Sequence, residues 1–331
     1  MDLFNNILYV SEVSVAQEAA FARAVALAEN NQASLSVLDV VPAVPSGPRM
    51  MTDGTDLQKL QAAMVDARRQ VLEALVEPYR KRLDIRIEVL VGTNFLKVIH
   101  SILLNEYDLL LKPAENPSYI ERLFGSDDMQ LLRNCPCPVW LMPADKRSDD
   151  ACILAAIDLD PHGTDEVNEQ LNQQILALSG SLALSGFAAL HFVHAWDAPG
   201  ELTVTLWSDD PGKASADYVE GVRSSHERAL YRFKDQLQER IGPEAHSHLA
   251  PQFHLRRGAP SKVIPEMIKK LQADLVVMGT VARTGIAGLL IGNTAEAILE
   301  QVQCSVLAVK PPGFVSPVKL PDGGRPPQSP A

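Results

Sequence analysis

Four landmarks of this chain recur at a nearly constant distance. Gly258 follows Gly92 by 166 residues, and Asp274 follows Asp108 by 166. Gly292 follows Gly125 by 167, and Cys304 follows Cys137 by 167. Each landmark carries its surroundings with it: GTNFLKVI is answered by GAPSKVI, DLLL by DLVV and LFG by LIG. Repetition at one spacing means one structural plan used twice. A length of 331 residues suits two domains of ordinary size. At the first strand the distance is only 146, from Ile7 to Ile153. The second half therefore carries about 20 extra residues before its third strand, placed in its first helix and in Asp197 to Asp217.

Within each half, short β-branched runs alternate with segments of helical period. The first half reads as strands near Asn6–Val10, Leu35–Val41, Ile85–Val91, Asp108–Lys112 and Val139–Met142. The second reads as strands near Cys152–Ile157, Ala189–Ala195, Gln252–Arg256, Leu275–Met278 and Val306–Val309. Apolar runs without alternation are buried on both faces, as in a parallel sheet. Strand–helix alternation and right-handed crossovers predict two tandem, doubly wound, Rossmann-like α/β domains. The boundaries fall at Met1 to about Lys146 and about Asp149 to Pro312, with a Pro/Gly-rich tail over 313–331. The tail is too rich in breakers to build a core, and its pair Phe314 and Val315 is read as a docking point.

Composition narrows the function. The net charge is -11, which argues against a general nucleic-acid binder, since neutralising phosphates needs a basic stripe. No segment has the length of a membrane span, because Ile175 to Leu190 is interrupted by serines and glycines. The opening MDLFNN lacks the features of a secretory signal, so the expected location is cytoplasmic. Cys135, Cys137, Cys152 and Cys304 fit neither a zinc ribbon nor a CxxC redox pair, and reduced thiols are expected. The histidines show no paired-ligand spacing, and no structural metal is expected.

Ligands of a doubly wound sheet bind beyond the carboxyl ends of the strands, where strand order reverses. In the second half that crevice collects Asp158, the Phe192–Trp196 stretch and the loop GTVARTGIAGLLIGNT from Gly279 to Thr294. Glycines permit close backbone approach to an anion, and amides at a helix start bind phosphate oxygens. Gly292 stands just before a predicted helix, and Arg283 adds a positive charge to the loop. Against this, Asp158 also reads as a turn aspartate and Arg283 as a solvated loop residue.

The strand ILAAID (153–158), the segment Gly279 to Lys310 and LLRNCP (131–136) together resemble the universal stress protein family, in its E-type tandem subgroup. The resemblance covers nearly the whole chain. Nucleotide-binding members carry Gly, two residues, Gly, nine residues, Gly, then Ser or Thr. Gly279 and Gly292 fill the first and third glycine positions. Ala282 replaces the second, Asn293 stands where Ser or Thr is expected, and Thr294 follows it. The resemblance maps adenine or ribose contacts onto Asp158 and the backbone near Phe192. It implies ATP with magnesium as the cofactor to consider, and a partial motif. In the first half Glu12 aligns with Asp158 and Pro113 with Gly279, while Gly125-Ser126 keeps the end of the motif. Proline lacks the amide a phosphate cradle needs, so the first domain is expected to bind no nucleotide. The resemblance further implies an intramolecular pseudo-dimer, Val139–Met142 pairing with Val306–Val309, with further homo-oligomers open.

No serine elbow, HxGH or SGGxDS motif is present, so the expected protein is not an enzyme, a slow ATPase being the remaining catalytic option. His162 reads as a turn residue. A phospho-receiver lacks its aspartate at the end of strand three. Two other readings stay open. One is a partly apolar, non-nucleotide ligand held by Leu202, Val204, Leu206 and Trp207, which otherwise cover a sheet edge or a domain interface. The other is a ligand-free interaction scaffold. The protein partner is not named by the sequence.

Overall fold

A computed structural model of the chain describes residues 3–45, 54–115, 127–144, 151–280 and 291–320. It divides into two units, Met1–Asp149 with Phe314–Ala331, and Asp150–Gly313.

The first unit contains β1 (Asn6–Val10), α1 (Glu18–Asn31), β2 (Ser34–Val41), α2 (Gly54–Val76), β3 (Ile85–Val91), α3 (Asn94–Asn105), β4 (Leu109–Pro113), α4 (Asp127–Asn134) and β5 (Val139–Met142). Its strands are parallel, in the order β3-β2-β1-β4-β5. Order reverses between β1 and β4, which opens a crevice beyond their carboxyl ends. Every residue of β4 and β5 is buried, as unalternating apolar runs require, whereas the outer strand β3 is mostly half-buried. Helix α1 buries Ala20, Phe21, Ala24, Val25, Leu27 and Ala28, a stripe of helical period. In the returning tail the Lys319 carbonyl lies 3.1 Å from His100 Nε2. Phe314 is half-buried and Val315 is exposed, so of the expected docking pair only the phenylalanine is packed.

The second unit repeats the plan with β6 (Cys152–Ile157), α5 (Glu166–Gly186), β7 (Ala189–Trp196), α6 (Glu201–Leu206), α7 (Pro211–Ile241), α8 (Pro243–Leu249), β8 (Gln252–Arg257), α9 (Pro260–Leu271), β9 (Leu275–Gly279), α10 (Asn293–Leu299) and β10 (Ser305–Val309). The parallel order is β8-β7-β6-β9-β10, the same permutation as in the first unit. Right-handed crossovers then put α5 and α7 on one face of the sheet and α9 on the other.

The extra residues of the second half appear where the offsets place them, but as more helix than expected. Helix α5 continues through Ser179-Gly180-Ser181 to Gly186, although that stretch reads as a loop in sequence. Ser179 Oγ returns to the Ile175 carbonyl at 2.6 Å. A methyl group at Gly180 would sit 3.7 Å from both Ile241 and Leu237, so the glycine brings α5 close against α7. Helices α6 and α8 have no α-helical counterpart among the described residues of the first unit.

Candidate functional site at the carboxyl ends of β6, β7 and β9

The register pairs Ala156 of β6 with Met278 of β9. Two residues further on, Asp158 and Thr280 therefore stand side by side at the reversal point. The Asp158 backbone is fixed from α5: its carbonyl accepts from Asn168 Nδ2 at 2.5 Å and Asn172 Nδ2 at 2.8 Å. Its N–H donates to Asn172 Oδ1 at 3.1 Å. The Asp158 side chain is exposed, while both asparagines are buried. The sequence signal for this pair is an i,i+4 asparagine spacing on the helix that follows the strand. Beyond it, Asp160 closes a turn by accepting from the N–H groups of His162 and Thr164, each at 2.9 Å. The His162 amide bond is the chief cause that drops the Asp160 carboxyl to about 2. His162 is thus a turn residue.

Gly279 ends β9 half-buried. A Cβ there would lie 2.7 Å from Leu171 Cδ2, so the glycine admits α5 as well as any ligand backbone contact. Thr280 is fully buried, and its Oγ1 has no hydrogen-bond partner among the described residues. Its carbonyl accepts from the Gly292 N–H at 2.8 Å. That bond closes the two ends of the loop, so Gly292 stands beside the strand end, at the start of α10. Asn293 and Thr294 follow it, both exposed. Ala282 and Arg283 lie outside the described residues.

Phe192 sits in mid-strand rather than at the crevice. Its side chain is wholly buried, stacked on Phe253 at 5.2 Å and edge-on to Phe233 at 5.3 Å. Its backbone is in register with Ala155 and Phe253. The crevice end of β7 instead presents His194 and Trp196. His194 is buried, and its Nε2 lies 2.8 Å from His226 Nδ1 on α7. Trp196 stacks on His226 with ring centroids 5.9 Å apart. The Arg257 guanidinium also lies over Trp196 and is paired with Glu201 of α6. A nearby cavity of about 480 Å³ is lined by Asp160, Asp165, Glu166, Glu169, Arg232 and Gln236, among others. Its carboxylates outnumber its one guanidinium, which suits a polyanion poorly. None of the residues expected from the motif lines it.

On the opposite face of β7, His191 Nδ1 lies 3.1 Å from His254 Nε2 of β8, the rings stacked. Burial lowers the pKa of both, and His191, Arg256 and Lys270 lower that of His254 further. The folded state then binds fewer protons than the unfolded one just below the ordinary histidine value of about 6.5. Stability is full above that value and is lost as the pH falls through the lowered values. We expect the thermal midpoint of the second unit to fall on acidification from about pH 7 to about pH 5. The double substitution His191→Gln and His254→Gln should flatten that slope; an unchanged slope would place the acid sensitivity elsewhere.

The matching crevice of the first unit is filled by its own side chains. Lys112 is completely buried, and its Nζ lies 2.8 Å from Asp128, 3.2 Å from Glu12 and 3.3 Å from Glu115. It also donates to the Pro113 carbonyl at 3.3 Å. Burial disfavours the ammonium, but Asp128, Glu115 and Glu12 outweigh it and raise the lysine pKa. Burial likewise opposes the Glu12 carboxylate, but Lys112 and Ser14 hold it below the ordinary value. Sequence reasoning reached Glu12 and Pro113 but missed Lys112. The available signal was a lysine inside the run LLLKP, which otherwise reads as a buried strand.

Among the described residues, no group of three or more His, Cys, Asp or Glu is placed to hold a metal ion. The four cysteines are unbridged, Cys135 and Cys137 with their sulfurs 3.5 Å apart. No described helix is long and apolar enough to cross a membrane.

Comparison with known proteins agrees with the duplicated fold. The model of the universal stress protein family matches twice, over residues 3–143 and 153–310. The chain is 29% identical to the universal stress protein E homolog of Haemophilus influenzae, over 93% of this chain and 98% of that one. It is 30% identical to universal stress protein E of Escherichia coli K12, over 69% and 68% respectively. A putative universal stress protein of Pseudomonas aeruginosa UCBPP-PA14 superposes with a TM-score of 0.66 at 25% identity, covering 94% of both chains. With a family domain in each half, the chain belongs to the universal stress protein family.

Proposed function

We propose that this is a non-catalytic stress-response protein whose second domain binds a small molecule at the carboxyl ends of β6 and β9, an adenine nucleotide being the ligand to test first. The observation that carries the reading is the closed loop at the reversal point. The Thr280–Gly292 hydrogen bond returns Gly292, Asn293 and Thr294 to the strand end that stands beside Asp158. The buried Thr280 Oγ1, without a partner among the described residues, adds a polar group at the same place. If bound there, ATP with magnesium would lie with Asp158 as a ribose or adenine acceptor and the Gly292–Thr294 amides and hydroxyl toward phosphate. The first domain, on this reading, binds no nucleotide. A triphosphate entering its crevice would meet Glu12, Glu115 and Asp128 around one already occupied ammonium.

The test is to purify the protein without nucleotide, denature it and identify released small molecules by mass spectrometry, then titrate the protein calorimetrically with ATP and magnesium. We expect one nucleotide per chain. Asp158→Ala should weaken binding about tenfold, the loss of one hydrogen bond of ~1.4 kcal/mol. Silence in both measurements would sink the nucleotide reading. An apolar molecule released instead would favour the non-nucleotide alternative. The insert residues give that alternative little support: Leu202, Leu206 and Trp207 are largely exposed to solvent.

A further inference from the structure

The second unit spends its extra residues on a short helix that is firmly held on one side and apolar on the other. The inner side of α6 is fixed by polar contacts. Ser215 Oγ of α7 donates to Glu201 at 2.8 Å, and Glu201 is ion-paired with Arg257 of β8. The Gly200 N–H donates to the Tyr218 hydroxyl at 3.2 Å, in a corner so close that a Cβ on Gly200 would lie 2.5 Å from that oxygen. The outer side carries Leu202, Leu206 and Trp207, which are 69%, 70% and 87% exposed. Single exposed apolar residues need no explanation, but Leu202 and Leu206 are i,i+4 neighbours on a pinned helix, and the exposed Trp207 follows them as its C-cap residue.

The sequence on either side of α6 is acidic. Asp197, Glu201, Asp209, Asp210, Asp217 and Glu220 stand against Lys213 alone between positions 197 and 220. Two of these six are neutralised, Glu201 by Arg257 and Glu220 by Arg223. The other four are exposed. We propose that the outer face of α6 is a docking site for a basic amphipathic helix of another protein. Its apolar stripe would cover Leu202, Leu206 and Trp207, and its lysines or arginines would meet the acidic rim. The same rim disfavours the other occupants. An anionic lipid surface would be repelled. A symmetric contact with a second copy would bring two acidic rims together.

Trp207 supplies the readout. The other two tryptophans, Trp140 and Trp196, are buried, so a change on docking belongs to Trp207. The full chain is titrated with a synthetic leucine–lysine peptide of about 18 residues, long enough for five helical turns. A scrambled peptide of identical composition, with no apolar face, is the control. We expect a saturable blue shift of tryptophan emission with the amphipathic peptide only, weakening several-fold as salt rises from about 0.05 to about 0.5 M. Leu202→Ser with Leu206→Ser should reduce affinity at least tenfold while the thermal midpoint is kept, because both side chains are on the surface. Equal binding of the scrambled peptide would reduce the site to bare charge and overturn the proposal. So would a blue shift that grows with protein concentration alone, which marks a second copy, or one produced by phosphatidylglycerol vesicles, which marks a membrane. Absence of any shift overturns it as well.

Discussion

Lys112→Met should destabilise the first unit by about 3–5 kcal/mol, the range for removing one partner of a buried ion pair. The methionine fills much of the same volume, so little of the loss comes from a cavity. The loss comes from Glu12, Glu115 and Asp128, which the variant leaves facing one another around an apolar side chain. Asp128 also accepts from the Glu115 N–H at 2.9 Å, so the start of α4 and the end of β4 should loosen together. Denaturant unfolding in a Trp196→Phe, Trp207→Phe background isolates Trp140 as the reporter of this unit. The neutralised triple variant, Lys112→Met with Glu115→Gln and Asp128→Asn, should recover a large part of the loss. The pH dependence follows from Glu12. Its lowered pKa means that its share of stability is present above the ordinary carboxylate value and disappears as the pH falls through the lowered one. The gap between wild type and Lys112→Met should therefore narrow in acid. A loss below about 1 kcal/mol would mean that the carboxylates reach water and the ammonium is not what neutralises them.

Phe192→Ala should cost the second unit about 3–5 kcal/mol, as truncation of a buried aromatic does. Phe192 is fully buried between Phe253 of the neighbouring strand and Phe233 of α7, so the variant removes two aromatic contacts and leaves a hole under the helix. Phe192→Leu should recover most of that. Thermal unfolding followed by Trp196 measures the change. Its comparison with ligand affinity separates two roles. If the residue serves the site only through its backbone, binding to the still-folded fraction of Phe192→Ala is unchanged. Lost binding with intact stability would put the side chain in the site.

The duplicated α/β plan was legible because it rests on local periodicity and on a spacing that any reader can count. The strands lie within a residue or two of their expected positions because runs such as LLL (109–111) and LVV (275–277) have no polar alternation. Helix α6 was not legible, since six residues ending in Thr-Leu carry no stop signal and are held from outside by Ser215, Tyr218 and Arg257. The extension of α5 through Ser179-Gly180-Ser181 was hidden for the same reason: its support is α7, some sixty residues away. At the site, Asp158, Gly279 and Gly292 were readable because strand ends and glycine punctuation are local. The Lys112 cluster was not, because its four charges come from three separated segments, Glu12 being brought beside Lys112 by the β1–β4 pairing and Asp128 by α4. The two imidazole pairs of β7 are equally non-local, one across to β8 and one up to α7.

The return of the tail has a consequence for how the protein is made. The first unit includes the described tail residues 314–320, which the ribosome delivers only after the whole second unit has been translated. A nascent chain released at the linker would hold all five strands of its sheet yet lack the Lys319 carbonyl that meets His100. The N-terminal half can therefore begin to fold first but finishes last, so that completion of its surface reports that the downstream half has already been synthesised.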